Sequence, residues 1–210
     1  MKKVGTAGAK SLYRLLGPRT VFLVGSLRYD NSDHLCAATN VTCVGTDPTC
    51  SILGLWPKWE TTKNIIRTGR FTLSLMASAQ LRSILIAGEK YSQIAIPNGT
   101  NKFDASGLTP ATVVDGYPAG VKDSLAIIAC KVTRVLTDVS NHVVFIAEAI
   151  AGQYDPDAFS DELVLDTSAA QPIMQVSGME FAEAHPFDSS IEDIREAYDR
   201  NLLDLRRRPA

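Results

Sequence analysis

The chain has 210 residues, 45% of them hydrophobic and 21% charged, with a formal net charge of -2 at pH 7. That length fits one domain with at most a small appendage, and the composition is that of an ordinary globular protein. The near-neutral balance excludes a large electrostatic footprint for nucleic acid or an anionic membrane, and no apolar run nears the roughly 18 residues that a spanning helix needs. Lys10 and Arg14 interrupt the place where the apolar core of an export signal would stand, so a cytoplasmic location is expected. Cys36, Cys43, Cys50 and Cys130 lack the close pairs of a zinc site, so small buried thiols on strands are expected, and no metal.

In chain order, residues 1–17 read as an amphipathic lead-in with Leu12, Leu15 and Leu16 on one side. The glycines of Gly5–Ser11 are too close together for a phosphate-binding P-loop. Thr20–Tyr29, His34–Val44 and Thr49–Leu55 are strand-like, separated by turns at Asp30–Asp33 and Gly45–Pro48. Connections this short predict an antiparallel meander and exclude βαβ crossovers. A nicotinamide-binding Rossmann domain is therefore not indicated, and no Gly-x-Gly-x-x-Gly occurs.

Thr61 or Thr62 is placed to cap a short helix with Ile65 and Ile66 inward, ended by Gly69. Arg70–Met76 reads as a strand, and Ser78 caps a helix through about Ala87 that Gly88 closes. Residues 91–107 are irregular, and Thr109–Asp115 reads as a short strand. Ser124–Leu136 and His142–Ile150 read as long apolar strands joined by a hairpin loop at Thr137–Asn141, suited to a barrel interior or to a partner's surface. Gly152–Ala170 is acidic and irregular, and Gln171–Phe181 holds a last short strand. Ser189–Arg208 has the stripe of a helix at Ile191, Ile194, Tyr198, Leu202 and Leu205, with Ser190 and Asp193 as its capping box. The terminal arginines suit the negative end of that helix better than a nucleic-acid patch.

No Ser-His-Asp arrangement, paired-carboxylate signature or His-x-x-x-His spacing is present, and there are only three histidines, His34, His142 and His185. A chain so poor in acid–base groups does its chemistry through a borrowed group. The segment Trp56–Lys63 suits an anion: Thr61 and Thr62 offer hydroxyls, Lys58 and Lys63 offer charge, and a helix start offers free N–H groups. Its two tryptophans either cover an aromatic ring or pack.

Several motifs fall in a recognisable order. They are Pro18-Arg19-Thr20 leading into an apolar strand, the small-residue run Ala37-Ala38-Thr39-Asn40, and Asp47-Pro48-Thr49 followed by Ser51. Next come Thr61 through Ile65, Thr68-Gly69-Arg70-Phe71, Asn101-Lys102-Phe103, Gly107-Leu108-Thr109 and the strand Asn141–Ala149. In order and spacing they resemble the flavin reductase-like family of FMN-binding split barrels, over roughly residues 15 to 180. Thr49 departs from the family's second proline, Asn40 from a frequent tryptophan, Asn101 from an aspartate and Arg70 from a glutamate.

The resemblance implies a mainly β fold, a Greek-key split β-barrel over residues 1–185 with short flanking helices. Residues 186–210 would form a C-terminal amphipathic helix packed on the barrel or on a partner subunit. It implies FMN, with FAD as the alternative, bound in a homodimer. Ala38, Thr39 and Asn40 would line the isoalloxazine, Ser51 would face the ring edge, and Lys58, Thr61 and Thr62 would hold the phosphate. Lys102 would place positive charge near the flavin, which favours its anionic reduced form. His142 would stand on the nicotinamide side, with no residue certain to be catalytic. The implied activity is hydride transfer from NADH or NADPH to flavin, the reduced flavin then serving a monooxygenase or another acceptor. The alternative is a non-catalytic FMN-binding electron carrier.

Overall fold

The computed structural model describes residues 3, 6–89, 96–97, 99–186, 195 and 198. A 3-10 helix, Thr6–Leu16, leads the chain in. The first strands are β1 (Arg19–Thr20), β2 (Phe22–Leu27), β3 (Asp33–Ala38), β4 (Val41–Thr46) and β5 (Thr49–Leu55). Helix α1 (Glu60–Thr68), strand β6 (Arg70–Leu75), helix α2 (Leu81–Gly88) and helix α3 (Lys102–Ser106) follow. The remaining strands are β7 (Pro110–Ala111), β8 (Gly120–Val121), β9 (Ala126–Leu136), β10 (Val143–Tyr154), β11 (Ile173–Ser177) and β12 (Glu180–Glu183).

Seven strands form one antiparallel sheet in the order β3-β2-β6-β9-β10-β5-β4. The expected meander is thereby corrected. The stretch 34–44 is two strands, broken at Thr39 and Asn40, and the halves pair at opposite ends of the sheet: β3 with β2, β4 with β5. The sheet's two edge strands are thus consecutive in the chain and meet at Thr39 and Asn40; the Gly54 N–H donates to the Asn40 carbonyl at 2.9 Å, carrying the β4–β5 pairing one residue into the break. Local alternation cannot reveal this break, because each half has the same period and only its partners differ.

The interior face carries Val24, Leu53, Leu55, Phe71, Leu73, Phe145 and Ala147, closed at one end by Ile65 of α1. The other face of β2 and β3 presents Leu23 and Leu35 to a second core built with Met76, Ile84, Ala87 and Phe103. With both faces covered, β2 reads as an unbroken apolar run rather than an alternation. Gly25 sits at the crossing, where a Cβ would collide with the Ala119 carbonyl and the Thr72 hydroxyl.

Several local expectations change. Helix α1 starts at Glu60 with Trp59 before it and no side-chain cap, so Thr61 and Thr62 lie inside its first turn. Ile65 is buried as expected, whereas Ile66 is 53% exposed. Gly69 does end the helix, with φ 66° and its N–H on the Ile65 carbonyl. Ser78 caps nothing: it opens a 3-10 turn, Ser78–Gln80, ahead of α2. Strand β10 runs on to Tyr154, and a second hairpin strand, β12, follows β11. Helix α3 went unpredicted, although Asn101 caps it by accepting from the Phe103 N–H at 2.9 Å. Cys43 is exposed, against the expectation of buried thiols, while Cys130 is buried. Leu12, Leu15 and Leu16 of the lead-in are exposed. The expected helix over 189–208 lies outside the described residues except at Arg195 and Tyr198, both helical.

Candidate functional site

The break between β3 and β4 is the floor of a cleft of about 630 Å³. Ala37, Ala38, Thr39 and Asn40 line it from the break itself, and Gly54, Trp56 and Trp59 from the end of β5 and the approach to α1. Arg14 and Arg19 enter from the N-terminal side, His142 from the start of β10, and Gln175, Gly178 and Phe181 from the β11–β12 hairpin. Segments far apart in sequence therefore converge where the sheet's ends meet.

The polar groups on this floor are cross-linked. The Arg19 guanidinium donates to Asn40 Oδ1 at 2.9 Å and stands 5.7 Å from the centre of the Tyr13 ring. The Thr39 hydroxyl reaches Gln175 Oε1 at 3.5 Å, and Gln175 Nε2 donates to the Gly178 carbonyl at 2.8 Å. Arg19 Nε is buried and has no partner. His142 meets Trp56 edge to face, with ring centres 5.8 Å apart, and its Nδ1 lies 2.8 Å from Asn141 Oδ1. No carboxylate is among the described residues lining the cleft.

Of the residues expected to hold a cofactor, the structure brings Ala38, Thr39, Asn40 and His142 together in this cleft. The others lie elsewhere. Ser51 sits on β5 opposite Ala147, and its hydroxyl bonds to the Cys130 thiol. Lys58 is exposed and does not line the cleft. Thr61 and Thr62 are fully buried; the Thr62 hydroxyl donates to the Trp56 carbonyl at 2.7 Å, and the Thr61 hydroxyl, near the Cys36 thiol, has no hydrogen-bond partner among the described residues. The Thr62 hydroxyl is thus used in seating α1, and neither threonine lines the cleft.

Lys102 belongs to a different cleft of about 540 Å³, lined also by Arg28, His34, Glu60 and Glu89. Its buried ammonium donates to the Ala87 carbonyl and pairs with Glu89, both at 3.0 Å. Arg28 pairs there with Glu60 at 2.8 Å. Burial would raise the Glu60 carboxyl, but the hydrogen bond from Arg28, with the nearby His34, Arg28 and Lys102 charges, brings it below its usual range.

Sequence reasoning missed Arg14, Gln175 and Phe181 as site residues, and quoted Arg19 only as part of a lead-in. A local signal existed for Arg19 alone, since a guanidinium beside an apolar strand needs an anion or a carbonyl to satisfy it.

A cleft of this size falls in the usual range for cofactor sites. Its tryptophan walls, polar floor and one unsatisfied buried donor suit a planar, anionic aromatic group, so these residues fit a flavin nucleotide. A protein of Pyrococcus abyssi with no assigned function is 31% identical over 147 residues, which span 70% of this chain and 80% of that protein. Among solved structures, nitrilotriacetate monooxygenase component B from Bacillus cereus superposes with a TM-score of 0.77 at 16% identity, covering 90% of this chain and 98% of its own. Flavoredoxin of Desulfovibrio vulgaris (Miyazaki F) does so at 0.70 and 22%, covering 83% and 91%. The flavin reductase like domain model matches residues 14–174, a span holding the whole seven-stranded sheet and the break at Thr39 and Asn40, and the chain belongs to that family.

Proposed function

We propose that this protein is an FMN-binding flavin reductase, taking hydride from NADH or NADPH, and that it works as a homodimer with the Greek-key split barrel of its relatives. The carrying observation is the cleft at the sheet's meeting edges, with no carboxylate among its described lining residues, where aromatic walls, a fixed polar floor and an arginine with a buried, unpartnered Nε converge. Bound there, FMN would accept the hydride and hand electrons on, chemistry that no side chain of this protein supplies.

The chain's own residues bind, orient and exclude water. Ala38 is small enough to let a planar ring approach the backbone, and Thr39 and Asn40 offer polar groups along its edge. Trp56 and Trp59 give apolar faces for stacking and keep water out. His142 is placed by Trp56 and Asn141 at the mouth, where it can orient a nicotinamide ring. No acid or base need act in the hydride step, so rate comes from holding two rings in register.

The test is the visible spectrum of purified protein mixed with FMN, followed anaerobically by NADH and then NADPH. Flavin absorbance that bleaches with either nucleotide is expected. Absorbance that resists both yet bleaches with dithionite would replace the reductase with an electron carrier. A protein that takes up no FMN would refute both.

A further inference from the structure

We propose that Arg19 is the phosphate-holding residue of this cleft, gripping a phosphoryl oxygen of the nucleotide that binds there. The inference rests on the nucleotide reading above and adds the anchor that reading lacks. Lys58, Thr61 and Thr62 are the residues expected to hold the phosphate, yet none of them lines the cleft: the lysine is exposed elsewhere, and both threonines are fully buried, Thr62 with its hydroxyl on the Trp56 carbonyl.

Arg19 has what an anchor needs. One arm of its guanidinium is pinned by Asn40 at 2.9 Å, and the Tyr13 ring stands beside its plane. Asn40 is itself fixed, through its carbonyl, to Gly54 of β5. The side chain is therefore ordered before any ligand arrives, while its Nε remains buried without a partner. A buried unsatisfied donor on a charged group costs free energy unless a ligand satisfies it. The planar fork of a guanidinium matches two oxygens of a phosphoryl group. Arg14 lines the same corner; the Glu180 carboxylate near it does not line the cleft. Glu180 partly balances Arg14, while Arg19 faces no carboxylate among the described residues that line the cleft.

Two sources share this chemistry: the phosphate of FMN and the pyrophosphate of a nicotinamide dinucleotide. Wild type, Arg19→Gln and Lys58→Gln are titrated with FMN and with riboflavin, and their KM is measured for NADH and for reduced nicotinamide riboside, which lacks phosphate. Arg19→Gln should weaken one phosphate-bearing ligand about 10- to 100-fold while changing its phosphate-free counterpart less than about twofold. Loss for FMN assigns the flavin's phosphate; loss for NADH assigns the dinucleotide's.

Equal changes in both members of both pairs overturn the proposal, as does Lys58→Gln separating FMN from riboflavin when Arg19→Gln does not. If wild type takes up neither flavin, the flavin reading falls and Arg19 is judged by inorganic pyrophosphate, read from Trp56 and Trp59 fluorescence. A saturable response lost in Arg19→Gln upholds it, and no response from wild type overturns it. Should Arg19→Gln fail to fold, Arg19→Lys decides. It keeps the charge but not the fork, so a loss of about 3- to 10-fold for the phosphate-bearing ligand alone is expected, and equal losses overturn the assignment.

Discussion

His34 is only 4% exposed, with its Nδ1 at 3.0 Å from the Arg28 guanidinium and 3.5 Å from Glu60. Burial, then the Lys102 charge, lowers its pKa from 6.5 to about 4, with Glu60 pulling the other way and Arg28 adding to the drop. Between those values the unfolded chain binds a proton that the folded one refuses. Stability from this group is therefore complete above pH 6.5, falls as pH drops through the window and levels off below about 4. The whole change amounts to about 3 kcal/mol. Urea unfolding at pH 7 and pH 4.5 should show most of that loss in the wild type and a clearly smaller one in His34→Gln. The thiols make a second contrast. Burial, partly offset by a hydrogen bond with Ser51, pushes Cys130 up to about 12, whereas Cys43 is exposed. Iodoacetamide at neutral pH should label Cys43 in native protein and reach Cys130 only on unfolding, as mass spectrometry of timed samples would show.

Helix α1 separates two neighbours that the sequence treats alike. Ile65 is fully buried against Phe71 and the barrel interior, while Ile66 lies one residue, and so about 100°, further round and more than half exposed. Ile65→Ala should cost about 2–5 kcal/mol and Ile66→Ala less than about 0.5, measured as shifts in urea midpoint. Gly69→Ala should cost about 1–2 kcal/mol, because its φ of 66° lies in the left-handed region that favours glycine. These cases show what was legible. Gly69 as a stop, β5 at Thr49–Leu55 and the hairpin between β9 and β10 follow from local chemistry that one chain segment contains. The break at Thr39–Asn40 does not, because neither residue forbids a strand there and only the pairing with β2 on one side and β5 on the other imposes it. The β11–β12 hairpin left a trace in Ser177-Gly178, with Gly178 at φ 56°. Ala38, Thr39 and Asn40 were found through motif order, whereas Arg14 and Gln175 join them only by long-range folding.

At the scale of the whole molecule, one antiparallel sheet separates two cores, and the cleft opens where the sheet's edges come together. A ligand there binds only the folded state, so it must stabilise it. At 100 times its Kd, FMN should add about 2.7 kcal/mol and raise Tm by about 5–10 °C in a calorimetric scan, while an equal concentration of a non-binding purine leaves Tm unchanged. Every other neighbouring pair of strands in the sheet is joined by a ladder of backbone bonds. The last gap, between β3 and β4, is bridged by two residues of chain, Thr39 and Asn40. That gap is a seam with one stitch, and a nucleotide lying over it would act as a second. The amides of β3 and β4, strands that share no ladder, should then slow their exchange with heavy water in concert when the nucleotide binds and quicken in concert when it leaves.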